Sequence, residues 1–454
     1  MMIKMKIEFC QFLPSKTGFK IMFNFLKNSF ILIIGNLLAG FLGYVFHLII
    51  SRLLSVSEYG ELQSLVSLIS ILAVPSAAIS YFTIKHSAAY YAKNDYLGNF
   101  AFYKWLRTKI YKIILGLTLL FLASMPLLKA YLHLNNYSNL IFTWLIVIIG
   151  LFISLKTGIL SGWQDFKKLS LNSVLSVIFK LLAGITMVYI FASVPAALGG
   201  FLAAGVFSFF FLQKIIKKKA KANFNIYKTA GSNERFDRKK IFSEIKKVVW
   251  PILFFTFLIS LFNSLDMLMA KNLLSSDLAG FYGAYNILGK IIFWASSSII
   301  AVILPIACAH DAKDQPVDRK ILYLANGLIV FICSVGLIAY LTMPEIIISI
   351  LFGSRYLPWA GSLWIFALMS LSLSLLTLEA NLAYSRYDFK ITYILLLTII
   401  LEIILVYLFH QTIFNLALSI FSAQIFGYFL SLLYNWKSAR KCQSLNPAEI
   451  SSFN

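Results

Sequence analysis

The feature that most constrains this sequence is a succession of apolar runs, each roughly 20 residues long, joined by short polar stretches. Hydrocarbon offers a backbone no hydrogen-bond partners, so a segment crossing it must be a helix or part of a closed barrel. A barrel strand spans the same thickness in about 10 residues, so runs of this length are helices. They fall at 30–51, 62–84, 110–128, 140–160, 171–191 and 196–212, and then at 248–270, 279–303, 321–341, 359–383, 391–409 and 413–434. The composition agrees, with 60% hydrophobic and only 13% charged residues. The expected fold is an all-α integral membrane protein of twelve transmembrane helices.

The two sets of six are related to each other. A shift of 220 residues lays Leu53, Leu54, Ser55 and Gly60 on Leu273, Leu274, Ser275 and Gly280, and the match continues through Leu68/Leu288, Ile71/Ile291, Ser76/Ser296 and Lys93/Lys313. Between the sets lies the longest polar run, 214–247, with twelve Lys and Arg against Glu234, Asp237 and Glu244. The expected organisation is a lead-in at 1–29, with Met22 as an alternative start, then a six-helix lobe at 30–213 and a basic linker at 214–247. A second six-helix lobe at 248–435 and a tail at 436–454 complete it. Six spans per half is an even number, so both halves enter from the same side. That makes the duplication a parallel repeat, with the substrate path expected between the lobes.

Charge placement sets the orientation. Of 40 Lys and Arg, the alternate loops on one side carry only Arg52, Lys129, Lys271 and Arg355, and Lys180 and Lys290 lie within spans. Nearly all the rest fall on the other side, which the positive-inside bias makes cytoplasmic, together with both termini. The expected location is the plasma membrane, crossed many times. The same asymmetry accounts for the net charge of +22 without nucleic acid as a partner, and points the basic loops at anionic lipid headgroups. The linker reads first as a solvated charge run, with docking of glycan-assembly proteins as the alternative.

The loops opposite the basic side are short, and the sequence carries no nucleotide loop, no His-Glu zinc motif and no nucleophile constellation. Cys10, Cys308, Cys333 and Cys442 are scattered, without disulfide or metal spacing. Transport is expected rather than catalysis, with no catalytic residue, metal or cofactor.

Three stretches carry a resemblance. Residues 50–59, ISRLLSVSEY, are followed by Gly60; Asp266-Met-Leu-Met-Ala270 runs on towards Gly280-Phe-Tyr-Gly-Ala-Tyr285; and Leu351-Phe-Gly-Ser-Arg-Tyr356 precedes the tenth span. In their order and spacing against twelve spans the chain resembles the polysaccharide-biosynthesis flippases (Wzx type) of the MATE-like multidrug/oligosaccharidyl-lipid/polysaccharide superfamily, over about 22–441. The resemblance implies two six-helix lobes that open alternately and carry an undecaprenyl-diphosphate-linked oligosaccharide from the inner to the outer leaflet, for cell-surface polysaccharide. It also implies a cationic cavity and ion coupling. The alternatives are an ion-coupled multidrug exporter on the same fold and a membrane polymerase or ligase of glycan assembly.

Ionisable residues inside spans are costly and mark pathways. Lys290, Lys180 and Arg52 are the candidate contacts to a polyprenyl diphosphate. Asp266, Glu402 and His47 are the candidates for ion coupling or gating. Each has a structural alternative: Lys290 with Asp266 and Lys180 with Glu402 as internal ion pairs, Arg52 as a snorkelling anchor, Glu402 and His47 as packed core groups. Glu379 with Arg386, seven residues on, reads as an interfacial ion pair. Pro75, Pro126, Pro251 and Pro305 are possible bends.

Overall fold

The computed structural model describes residues 16–93, 95–227, 250–311, 319–386 and 388–444. The start of the expected lead-in, 228–249 of the linker and the end of the tail lie outside the described residues. Within them the chain is helical and has no strand. The first half comprises α1 (Lys16–Leu53), α2 (Val56–Leu72), α3 (Val74–Ala92), α4 (Tyr96–Tyr131), α5 (Ser138–Gly162), α6 (Phe166–Phe191) and α7 (Val194–Tyr227). The second comprises α8 (Trp250–Leu273), α9 (Ser276–Asp311), α10 (Arg319–Thr342), α11 (Pro344–Leu351), α12 (Leu363–Ser385), α13 (Ile391–Leu408) and α14 (Ile413–Ser444), with a 3-10 segment, Ser354–Ser362, before α12.

Among the described residues, ten helices are long and apolar enough to cross a membrane, and eleven if α2 and α3 count as one span bent by 41°. The bend falls where Pro75 occupies the first turn of α3, since proline has no amide to donate to the preceding turn. Pro126, by contrast, lies inside an unbroken α4. The expected eighth span coincides with α9, which is 36 residues long.

The chain divides into two compact units, 1–58 with 68–256, and 59–67 with 257–454. In the first unit α3 packs on α5, α5 on α7 and α6 on α7. In the second, α9 packs on α12, α12 on α14 and α13 on α14. Under the 220-residue shift these are the same three pairs, so each half reaches the same helix packing within itself.

The repeated Leu-Leu-Ser explains the matching helix starts. Ser55 caps α2 in a capping box, its Oγ accepting from the Glu58 amide at 3.3 Å while Glu58 Oε2 accepts from the Ser55 amide at 2.9 Å. At the equivalent position Ser275 Oγ accepts from the Leu278 amide at 3.4 Å and caps α9.

The three stretches that carry the resemblance meet in the second unit. Tyr59 from the first packs edge-on against Phe352 and Tyr356 from the third, with ring centroids 5.9 and 6.1 Å apart. Tyr285 from the second donates its hydroxyl to the Tyr356 carbonyl at 2.5 Å. All four side chains are buried. The turn that aims Tyr356 inward begins at Gly353, whose φ of 96° favours glycine.

At the basic end of the first unit, Asp165 joins α5 to α6 and accepts salt bridges from Lys219 of α7 at 2.7 Å and Lys168 at 3.1 Å. Burial opposes the charge on Asp165, but hydrogen bonds from Lys219 and Lys168 outweigh it and hold the carboxyl below the usual aspartate range.

Candidate functional site

α8, α9, α12 and α14 enclose a small polar cavity of about 20 Å³ inside the second unit. Asp266 points into it from α8. Its Oδ2 accepts from Asn286 Nδ2 at 2.7 Å and from the Tyr282 hydroxyl at 3.1 Å, both on α9, while Oδ1 has no hydrogen-bond partner among the described residues. Tyr282, Asn286 and Lys290 recur every four residues, so they share one face of α9, and Lys290 lines the same cavity one turn beyond Asn286. The carboxylate thus takes its direct bonds from two neutral donors rather than from Lys290, the partner in the alternative reading of that lysine.

A second buried carboxylate connects to this cavity through Gln424. Glu402 on α13 is fully buried; its Oε2 accepts from Gln424 Nε2 at 3.4 Å, and its Oε1 has no partner among the described residues. Gln424 also lines the cavity and accepts from the Ser372 hydroxyl at 3.1 Å. Two buried carboxylates therefore each keep one oxygen unsatisfied, a costly arrangement unless something else fills it. The cavity has room for about one water-sized occupant.

In the first unit Lys180 is half-buried and Lys156 buried. The Lys180 ammonium on α6 lies 4.6 Å from the centre of the Phe46 ring and 4.8 Å from that of Phe201, so ring faces rather than a carboxylate receive it. Lys156 on α5 is only 2% exposed; its Nζ donates to the Phe209 carbonyl at 3.0 Å and rests over that ring. Of the other expected residues, Arg52 is exposed in the last turn of α1 and His47 is half-buried on the same helix, edge-on to Phe46. Glu379 is not held by Arg386: its Oε2 accepts from Asn435 Nδ2 at 2.7 Å.

The family described as polysaccharide biosynthesis protein matches residues 25–308. The chain belongs to that family. No curated protein sequence matches it. Solved structures that share its fold include an inward-facing multidrug resistance MATE transporter of the MOP superfamily, with a TM-score of 0.69 at 12% identity, covering 92% of this chain and 99% of that one. The lipid II flippase MurJ in an inward closed conformation aligns with a TM-score of 0.62 at 14% identity, over 91% of this chain and 87% of that one. The Vibrio cholerae MATE transporter VcmN in its bent form gives 0.55 at 13% identity, over 92% and 97%. At these identities the likeness establishes the MATE-like fold alone.

For this polysaccharide biosynthesis protein, counting charges finds Asp266, Lys290 and Glu402 but not the neutral donors that organise them. The four-residue spacing of Tyr282, Asn286 and Lys290 is the signal in the sequence for that stripe. Gln424 carries no local signal, because its role depends on α14 packing beside α13. Lys156 falls within the expected span 140–160, four residues from its basic end, where it is easily taken for one more interfacial lysine.

Proposed function

We propose that this protein is a flippase that moves a polyprenyl-diphosphate-linked oligosaccharide across the plasma membrane by alternating access, with both termini cytoplasmic, in the making of a cell-surface polysaccharide. Membership of the polysaccharide biosynthesis family carries this reading. The MATE-like fold, shared with a protein described as a lipid II flippase, supports it. In this reading Lys180, received by ring faces, meets the diphosphate as a mobile point charge, and Lys290 and Arg52 assist it. Asp266 and Glu402, each with one unsatisfied oxygen, take up a proton or small cation whose gradient drives the cycle. His47, half-buried on α1, is the candidate for gating. The protein acts as a carrier and makes or breaks no covalent bond.

The test is the sidedness of a labelled polyprenyl-diphosphate sugar in proteoliposomes, with and without an imposed proton or sodium gradient. Gradient-dependent delivery to the far leaflet is expected. The fold is shared also with a protein described as a multidrug resistance transporter, which keeps drug export as the second reading. Export of ethidium-like cations, with no lipid-linked sugar moved, would replace the flippase with a multidrug exporter.

A further inference from the structure

Helices α5, α6 and α7 of the first unit frame an open apolar groove of about 1080 Å³. One face of α7 forms its floor, through Pro195, Gly199, Leu202, Val206, Phe210 and Lys214, spaced three or four residues apart as a helical stripe requires. Phe142 of α5 and Phe179 and Met187 of α6 wall it, and Phe179 stacks on Phe207 with ring centroids 4.0 Å apart.

The groove's length and its charged end identify its occupant. From Pro195 to Lys214 the helix rises about 29 Å at 1.5 Å per residue, close to the full thickness of a bilayer's hydrocarbon core. One acyl chain of a phospholipid reaches only to the midplane, so an occupant that follows the whole floor is a single long hydrocarbon chain. The stripe turns cationic at one end only: Lys214 is followed on the same face by Lys217 and Lys218, all three exposed. That end suits phosphate, and the opposite end, near Ser193 and Pro195, carries no charge. We propose that this groove is the seat of the substrate's polyprenyl chain, with the phosphate at Lys214, Lys217 and Lys218. The proposal rests on the flippase reading and adds that the hydrocarbon tail has its own bilayer-length site on the first unit, apart from the lysine that meets the travelling headgroup.

The experiment reads binding directly. The full-length protein in phosphatidylcholine–phosphatidylglycerol nanodiscs is incubated with a long-chain polyprenyl phosphate bearing a mid-chain diazirine, illuminated, and its labelled peptides are identified by mass spectrometry. Label concentrated between 195 and 214 is expected, chased by unlabelled polyprenyl phosphate but not by the same amount of added phosphatidylglycerol. Ala203→Trp, which fills the groove, and Lys214→Glu, which reverses charge at an exposed site, are each expected to lower labelling about five-fold or more. The Lys214 change should leave labelling by the uncharged polyprenol unaltered. Label spread evenly over the lipid-facing helices, or chased equally by phosphatidylglycerol, overturns the proposal in favour of ordinary lipid. A transport assay run in parallel separates the two readings: labelled groove with no sugar delivered sinks the flippase, and sugar delivered with no label in the groove sinks the tail site.

Discussion

Gly60 and Gly280, equivalent residues of the two repeats, meet backbone to backbone. A Cβ on Gly60 would lie 2.6 Å from the Gly280 amide nitrogen and 2.8 Å from its Cα. One turn on, the next equivalent pair, Gln63 and Gly283, are also neighbours. The starts of α2 and α9 therefore cross in direct contact within the second unit. Any side chain at Gly60 must push backbone, which yields less readily than a side chain. Gly60→Val is expected to lower stability by about 1–3 kcal/mol through overpacking. Gly40→Val, with nothing within 4 Å of its added Cβ, serves as the control. Thermal unfolding in detergent compares the two, and equal melting temperatures would refute the crossing.

Lys180 is half-buried and Lys156 fully buried, and they separate on substitution. The Lys180 ammonium rests on ring faces, so Lys180→Met keeps the packing stem and removes only the charge offered to a diphosphate. The half-saturating concentration of lipid-linked sugar is expected to rise about ten-fold with melting unchanged. Lys156 donates to the Phe209 carbonyl. Lys156→Met is expected to cost about 1.5–3 kcal/mol of stability, the range for a hydrogen bond to a charged group. Melting curves and transport titrations on both variants decide it.

Glu402 and Asp266 are expected to couple transport to an ion gradient. Glu402→Gln keeps shape and the Gln424 neighbour while removing a dissociable group. Its gradient-driven delivery should fall about ten-fold or more, equivalent to at least about 1.4 kcal/mol, while gradient-free exchange of labelled substrate continues. A variant that still accelerates fully under the gradient would show that Glu402 is a packing group.

Asp165 predicts an acid-sensitive component of stability. Its folded pKa is lowered, so its contribution is fully present above the unfolded value, about 3.9, and is lost as pH falls through the lower, folded value. Asp165→Asn should melt below the parent at pH 6, and the gap should close towards pH 2. A gap constant from pH 6 to pH 2 would mean that the pairs with Lys219 and Lys168 contribute nothing.

The sequence by itself determined the class of fold and most of its layout. Apolar runs of bilayer length, a 220-residue repeat and a serine before each equivalent helix are local or one-dimensional patterns, and a membrane forces such patterns into helices. It also located Asp266, Lys290, Lys180 and Glu402, because a charge within an apolar run stands out against its neighbours. Only the tertiary structure decided what those charges touch. Asp266 is bonded by Asn286 and Tyr282 rather than Lys290, Glu379 by Asn435 rather than Arg386, and Glu402 joins the cavity through Gln424. Hydrogen bonds act over about 3 Å, and which helices come that close depends on close packing between segments far apart in the chain, here set in part by pairs such as Gly60 and Gly280 that have no side chains to hold them apart.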